Sequence, residues 1–270
     1  MIDYLSNLGW KRDTVDSRDH KYKISLVDLT TLPDKVDLRK YCSPVEYQRT
    51  LGSCTAQSIA GVLEFLDIKK KLTEEVNWIV RLWKQILRFF NKLSFDVVSR
   101  LFVYYNEREV EGSISEDAGA MLRTGIKVCN QYGWCHEKLW PYNIEKFKEK
   151  PTENCYNSAL PKQIKEYQRL TTEDERLACL AEGYPFIFGI DIFSSFITHD
   201  VEDNGIIPMP DINTERWLGG HALCAVGYNK ITRNYIVRNS WGDWWGQKGY
   251  CLIPFDYLTK YGDDMWTIRK

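Results

Sequence analysis

The stretch Gln48-Arg49-Thr50-Leu51-Gly52-Ser53-Cys54 places a thiol directly before an apolar helical pattern. Far downstream the chain carries Gly219-Gly220-His221-Ala222 and then Asn239-Ser240-Trp241-Gly242. A thiol becomes a strong nucleophile when an imidazole takes its proton, and an asparagine amide can hold that imidazole in one orientation. A glutamine amide can donate to the oxygen of an attacked carbonyl, where negative charge develops. The predicted catalytic residues are Cys54, His221, Asn239 and Gln48.

The last of these segments extends into a longer motif. Residues 239–250 follow the pattern Asn-Ser-Trp-Gly-x-x-Trp-Gly-x-x-Gly-Tyr without a gap. Together with the upstream Gln-x5-Cys, this pattern resembles the papain-like cysteine peptidases of the papain family, over roughly residues 33–255. The resemblance implies an α+β fold of two subdomains, a helical left half and a β-barrel-like right half, with the active-site cleft between them. It implies thiol-dependent hydrolysis of peptide bonds with no cofactor, and endopeptidase action as the default.

The chain departs from the family pattern at three places. Leu51 stands where secreted relatives usually carry a cysteine, and Thr55 replaces the usual tryptophan after the nucleophile. Asp117-Ala118-Gly119 replaces a Cys-x-Gly-Gly segment whose glycines hold the substrate backbone in relatives of the plant and lysosomal type. This last departure resembles a subgroup found in bacteria and large DNA viruses that lacks the long helical propeptide.

The composition changes along the chain and predicts three parts. Residues 1–32 form a polar N-terminal extension, residues 33–160 a mainly helical subdomain, and residues 161–270 a strand-rich subdomain that carries His221 and Asn239. Two interpretations of the extension stay open. It either lies across the cleft and inhibits the enzyme, or it is a disordered tail.

Apolar periodicity predicts the main elements. The predicted helices are Cys54 to about Lys70, Ser99–Arg108, and a helix from Ser115 to about Gln131. The predicted strands are Pro185–Ile190, Ala222–Tyr228, Tyr235–Arg238 and Gly249–Ile253.

Residues 73–94 form a predicted amphipathic insertion. Trp78 and Trp83 lie on an apolar arc, and Arg81, Lys84 and Arg88 lie on the opposite face. Such a helix can bind an anionic membrane surface, or it can pack its apolar arc against the body of the protein. The second interpretation is favoured.

The predicted substrate contacts are Gly189, Gly220 and Trp241. The main specificity pocket is expected to be apolar, by the same resemblance, and the two glycines indicate that it is roomy. Trp241 is also expected to shield the bond between the histidine and the asparagine. An acyltransferase or a deubiquitinating-type enzyme with the same triad stays open as an alternative, as does a binding module with the peptidase fold.

Charge and cysteine usage limit the partners and the compartment. Lys and Arg (36) balance Asp and Glu (37), so no field favours nucleic acid, and the expected partner is a peptide or protein substrate. Cys129-x5-Cys135-His136 is too isolated for a zinc site, so no metal is predicted. The eight cysteines predict a reducing compartment, with Cys129–Cys135 and Cys135–Cys155 open as disulfide pairings. Residues 1–7 lack secretory signal features, so a cytoplasmic or virion-associated protein is expected.

Overall fold

The computed structural model describes residues 8–24, 29–73, 86 and 94–269. Within these ranges the helices are α1 (Cys54–Thr73), α2 (Arg100–Val110), α3 (Leu122–Gln131), α4 (Glu153–Ala159), α5 (Glu173–Ala181), α6 (His199–Asn204) and α7 (Phe255–Tyr261). The strands are β1 (Trp10–Lys11), β2 (Lys35–Asp37), β3 (Ala120–Met121), β4 (Glu166–Leu170), β5 (Phe186–Phe193), β6 (Trp217–Asn229), β7 (Asn234–Arg238), β8 (Tyr250–Pro254) and β9 (Gly262–Arg269).

Seven strands form one antiparallel sheet in the order β4-β9-β5-β6-β7-β8, with β2 paired to β6. Among the described strands no ladder joins the outer strands β4 and β8, so the sheet is open. The predicted α+β fold is confirmed, with helices concentrated before the sheet. All four predicted strands are confirmed, and each extends beyond its predicted limits at one end or both.

The central strands position the predicted histidine and asparagine. Strands β5 and β6 pair with Ile190 opposite His221, and β6 pairs with β7, which ends directly before Asn239. His221 is fully buried in this pairing and Asn239 nearly so. The sheet therefore holds His221 within β6 and Asn239 at the end of the adjacent strand β7, 18 positions apart in sequence.

Helix α1 packs between the sheet and helices α2 and α3 and is buried along most of its length. An arginine of β7 is linked to this helix through Ser43. Arg238 donates to the carbonyl oxygens of Ser43 and Pro44, while the Ser43 hydroxyl donates to Glu64 of α1. The predicted helix from Cys54 is confirmed and runs to Thr73. The insertion predicted at residues 73–94 lies outside the described residues except for Thr73, Ile86 and Ser94.

The helix predicted from Ser115 is wrong at its start, because α3 begins only at Leu122. The preceding residues form turns and the short strand β3. Gly119 has a positive φ of 67°, and a Cβ built there would lie 1.9 Å from the Gly9 carbonyl oxygen. The Asp117 side chain accepts from the Gly52 N–H and the Tyr104 hydroxyl instead of capping a helix. Tertiary contacts, and not local helix propensity, therefore determine the conformation of residues 115–121.

Residues 8–24, here called the N-terminal segment, pack against the body of the protein. Strand β1 pairs in parallel with β3, with Trp10 opposite Ala120. Further along, the Arg169 N–H of β4 donates to the His20 carbonyl, and the Tyr22 N–H donates to the Arg169 carbonyl. The interpretation as a disordered tail is therefore wrong for these residues. In the described part of the chain, no helix has the length and apolarity needed to cross a membrane.

Candidate active site

The Cys54 thiol lies at the first position of α1 and is completely buried. Burial raises its pKa to about 12, because a thiolate loses its hydration there. The backbone N–H groups of Ala222, Gly9 and Thr55 act in the opposite direction. The contact with Ala222 brings the strand that carries His221 to the start of α1.

The His221 imidazole is held between an amide and an indole. Its Nε2 lies 2.9 Å from Oδ1 of Asn239, and the same Oδ1 accepts the Ser240 N–H at 2.8 Å. The Trp241 ring stacks on the imidazole, with centroids 4.9 Å apart and planes inclined by 26°. Trp241 has no exposed surface and also packs against Phe196 and Trp245, so in this structure it is a buried neighbour of the histidine and its predicted substrate contact stays a prediction.

The two ring nitrogens of His221 have different surroundings. No described residue bonds to Nδ1, which is buried. Burial lowers the pKa of His221 to about 4, against the opposing effect of the Asn239 bond. Burial therefore shifts both pKa values in the direction that favours the uncharged thiol and the uncharged imidazole.

Polar contacts fix both the backbone and the side chain of Gln48. Its backbone N–H donates to the Ser240 carbonyl at 2.9 Å, and its backbone carbonyl accepts the Tyr142 hydroxyl at 2.9 Å. Its side-chain oxygen accepts the Ser240 hydroxyl, and Nε2 donates to the Leu51 carbonyl at 2.9 Å. Because one half of the amide is held by Ser240 and the other by Leu51, the plane of the amide is set relative to Cys54.

The N-terminal segment passes directly over the thiol at Gly9. A Cβ built on Gly9 would lie 1.8 Å from the Gly52 carbonyl oxygen, so only glycine fits at this distance. On the other side, the Ala120 N–H donates to the Gly9 carbonyl at 2.8 Å. The segment is therefore in backbone contact with Gly52 and with Ala120, close to Cys54.

The next residue, Trp10, fills the pocket at the two glycines predicted to line it. Its side chain is only 7% exposed. A Cβ built on Gly189 would lie 1.8 Å from the indole ring, and one built on Gly220 would lie 2.6 Å from it. The indole therefore occupies the volume that side chains at Gly189 and Gly220 would otherwise take.

Ion pairs hold the remainder of the segment. Arg12 donates to Asp191 at 2.6 Å and to Asp263 at 3.1 Å, and its guanidinium lies 5.0 Å from the centroid of the Trp10 ring. Asp19 accepts from Arg123 at 2.6 Å and from Arg169 at 3.2 Å. The buried Asp13 carboxylate accepts from the Arg123 N–H and from the Trp266 indole.

No disulfide joins any of the eight cysteines, all of which are buried in described parts of the chain. Neither of the disulfide pairings left open above is therefore present. Among the described residues no cluster of His, Cys, Asp and Glu could hold a metal ion.

The structure brings every predicted site residue into one region, around the start of α1 and the strands β5 and β6. Sequence reasoning missed Tyr142 and the bond from the Gly52 N–H to Asp117, and it missed Gly9 and Trp10 of the N-terminal segment. The only available signal was an isolated Gly-Trp pair in a polar stretch. Nothing local showed that this pair meets residues more than 100 positions away.

Comparisons with known proteins show the family of this chain. The family described as "Papain family cysteine protease" matches residues 110–262, a range that contains His221 and Asn239 and begins after Cys54. An uncharacterized peptidase C1-like protein of Acanthamoeba polyphaga mimivirus is 37% identical over 288 aligned positions, covering 99% of this chain and 86% of its own. Cathepsin K of Mus musculus is 28% identical over 229 positions, covering 82% of this chain and 60% of its own.

Solved structures show the same fold. Xylellain, a cysteine protease from Xylella fastidiosa, superposes with a TM-score of 0.81 at 34% identity, covering 98% of this chain and 96% of its own. The procathepsin B S9 of Trypanosoma congolense superposes with a TM-score of 0.72 at 16% identity, covering 99% of this chain and 88% of its own, and supports the fold alone. Relatives from a large DNA virus and a bacterium agree with the predicted subgroup. The chain belongs to the papain family of cysteine proteases.

Proposed function

We propose that this peptidase hydrolyses internal peptide bonds with Cys54 as nucleophile, His221 as base and acid, Asn239 as orienting residue and Gln48 as oxyanion donor. The observation that carries the proposal is the buried bond between His221 Nε2 and Asn239 Oδ1, with Trp241 stacked on the ring. This bond leaves Nδ1 to exchange a proton with the thiol at the start of α1.

Each residue has one task in the reaction. His221 Nδ1 takes the Cys54 proton, and the thiolate attacks the peptide carbonyl carbon. The Gln48 amide and the Cys54 backbone N–H donate to the resulting oxyanion. The imidazolium protonates the leaving amine, and a thioester remains. His221 then takes a proton from water, whose oxygen attacks the thioester and releases the carboxylate and the free thiol.

The N-terminal segment is proposed to inhibit the enzyme in cis. Gly9 and Trp10 occupy the positions that a substrate backbone and an apolar side chain would need, since they contact Cys54 and the glycine pocket. Covering the site also removes water, which favours the neutral thiol and imidazole over the reactive ion pair. Release of the segment restores both access and hydration, and with them the ion pair.

The same geometry predicts a preference for an aromatic side chain in the pocket. Valine at position 9 is expected to displace the N-terminal segment, because its Cβ would lie 1.8 Å from the Gly52 carbonyl oxygen. In this full-length Gly9→Val chain, Gly189→Ala should lower kcat/KM for peptides with Phe or Trp in the pocket by about tenfold. The cause is the 1.8 Å separation between the added Cβ and an indole placed as Trp10 is. Peptides with Ala in the pocket serve as the control and should change little. Equal loss for both peptide sets would contradict the assignment of the pocket.

The test of the proposed activity is hydrolysis of internally quenched peptides by the Gly9→Val chain, with products identified by mass. Internal cleavage that disappears with Cys54→Ala supports the proposal. Because the alanine variant keeps the buried helix start, its thermal midpoint should stay close to that of the parent. Removal of terminal residues only would contradict endopeptidase action. Transfer of the acyl group to an added amine without hydrolysis would instead support the acyltransferase alternative.

A further inference from the structure

Tyr142 lies outside the four residues proposed for catalysis, yet its hydroxyl contacts both ends of the loop that leads from Gln48 to Cys54. The hydroxyl donates to the Gln48 carbonyl at 2.9 Å and lies 2.6 Å from Oγ of Ser53. Ser53 directly precedes Cys54, whose backbone N–H is the second proposed oxyanion donor. One hydroxyl therefore spans the two points from which the donors project.

The hydrogen bonds around this hydroxyl run in one direction. Since Tyr142 donates its single proton to Gln48, Ser53 donates to Tyr142, and the Gln57 amide donates to Ser53 at 3.5 Å. The Arg100 guanidinium donates to Gln57 at 3.4 Å and lies 4.5 Å from the centroid of the Tyr142 ring. This series of hydrogen bonds thus begins at the buried Arg100 guanidinium and ends at the Gln48 carbonyl. Because all the bonds point in the same direction, each one polarises the next.

Tyr142 is itself fixed from the other side. Its backbone N–H donates to Glu137 at 2.7 Å, and Glu137 also accepts from Arg100 at 3.0 Å. Tyr142 is therefore held by residues of the helical half of the molecule, and its hydroxyl in turn holds the loop from Gln48 to Cys54. Ser240 braces the same Gln48 from the strand-rich half.

We infer that Tyr142 is a positioning residue for the oxyanion site, holding Gln48 and the Cys54 backbone N–H at a fixed separation. This inference rests on the proposed catalytic role of Gln48. A positioning role makes a selective prediction, because the oxyanion forms only during attack on a carbonyl. The reactivity of the thiol toward an alkylating agent needs no such donor.

The test compares Tyr142→Phe with Tyr228→Phe in the full-length Gly9→Val chain. Tyr228 is the matched control, since its hydroxyl also donates to a backbone carbonyl, that of Pro33 at 3.0 Å, and takes no part in the series of hydrogen bonds described above. Tyr142→Phe should lower kcat about tenfold with little change in KM, and raise the Ki of a peptidyl aldehyde by a similar factor. The rate of alkylation by iodoacetamide should stay within about twofold of the parent. Tyr228→Phe should leave all three values unchanged.

Combination with Gln48→Ala separates positioning from general structural damage. If Tyr142 acts in part by positioning the Gln48 amide, the tyrosine substitution should lower kcat by a smaller factor once Gln48 is alanine, and the remaining loss reports on the Cys54 backbone N–H. Full additivity, an unchanged kcat, or a proportional loss of alkylation would overturn the inference. Absence of hydrolysis and alkylation in the Gly9→Val parent itself would instead contradict the proposed function, so the two failures are distinguishable.

Discussion

Gly9→Val should raise kcat/KM of the full-length chain on a small peptide by at least about a hundredfold. A Cβ on residue 9 would lie 1.8 Å from the Gly52 carbonyl oxygen, and both groups belong to backbone that cannot rotate away. Overpacking of this kind typically costs 1–3 kcal/mol or more, and about 2.7 kcal/mol corresponds to two orders of magnitude in the fraction of open molecules. The valine should therefore displace the segment and uncover Cys54.

Two further variants distinguish displacement of the whole N-terminal segment from a local effect of the substitution at residue 9. Val15→Ala changes a fully exposed residue of the same segment and should leave the rate unchanged. Trp10→Ala should raise the rate by a different route, through loss of apolar burial in the glycine pocket. If Gly9→Val and Trp10→Ala both keep the wild-type rate while the protein stays folded, the segment does not limit activity and the proposed inhibition is wrong.

The second large effect is a dependence of segment docking on pH, set by Asp13. Its side chain is fully buried in the docked state, where it accepts from the Arg123 N–H and from the Trp266 indole. Burial, and then the neighbouring Asp264 carboxylate, raise its pKa from 3.8 to about 6. The charged groups around it from the segment, α3, β4 and β9 are Arg12, Asp19, Arg123, Arg169, Asp263 and Asp264.

Proton linkage gives the direction in which docking of the segment changes with pH. The docked state binds the Asp13 proton more tightly than the released state, in which the carboxyl is hydrated and has its ordinary pKa. Docking is therefore strongest below about pH 4 and weakens as the pH rises through about 6. The difference between the two pKa values corresponds to about a hundredfold change in the docking equilibrium. Raising the pH should open this cleft.

The measurement is the rate of iodoacetamide alkylation at Cys54 in the wild type, divided by the rate in Gly9→Val at the same pH. Ionisation of the thiol changes both rates in the same way and drops out of the ratio. The ratio therefore reports the fraction of wild-type molecules whose segment is released. It should rise between about pH 4 and pH 7 in the wild type. Asp13→Asn cannot ionise, so its ratio should be nearly level over that range. A ratio that falls with rising pH would contradict the role given to Asp13.

The candidate catalytic residues could be proposed from sequence, because the motifs at Gln48–Cys54 and 239–250 combine chemistry with fixed spacing; their catalytic roles stay a prediction. The helix from Cys54 and the central strands were predictable for a similar reason, since each carries a continuous apolar pattern. Strand β9 was not predicted. Its polar start, Gly262-Asp263-Asp264, obscures the strand pattern, and those carboxylates bond to Arg169 of β4 and Arg12 of the segment.

The contacts of the N-terminal segment with the cleft were not predictable from sequence. Trp10 sits in a polar stretch without a period, and it is buried only because glycines 179 and 210 positions further on leave space for its ring. The prediction of a helix start in the loop before α3 is wrong for a related reason. Its Ser-x-Asp pattern fits a helix cap, but Asp117 bonds to the Gly52 backbone N–H near the nucleophile. Both features depend on contacts that only the folded chain provides.

The most direct test of the central claim is the intact mass of the protein after treatment with a peptidyl epoxide that alkylates papain-like thiols. The wild type, Gly9→Val and the double variant Gly9→Val/Cys54→Ala would be compared at equal times. A single adduct that forms rapidly on Gly9→Val, slowly on the wild type and not at all on the double variant is the predicted result. An adduct that persists in the double variant, or equal rates for wild type and Gly9→Val, would contradict a reactive Cys54 covered by its own N-terminal segment.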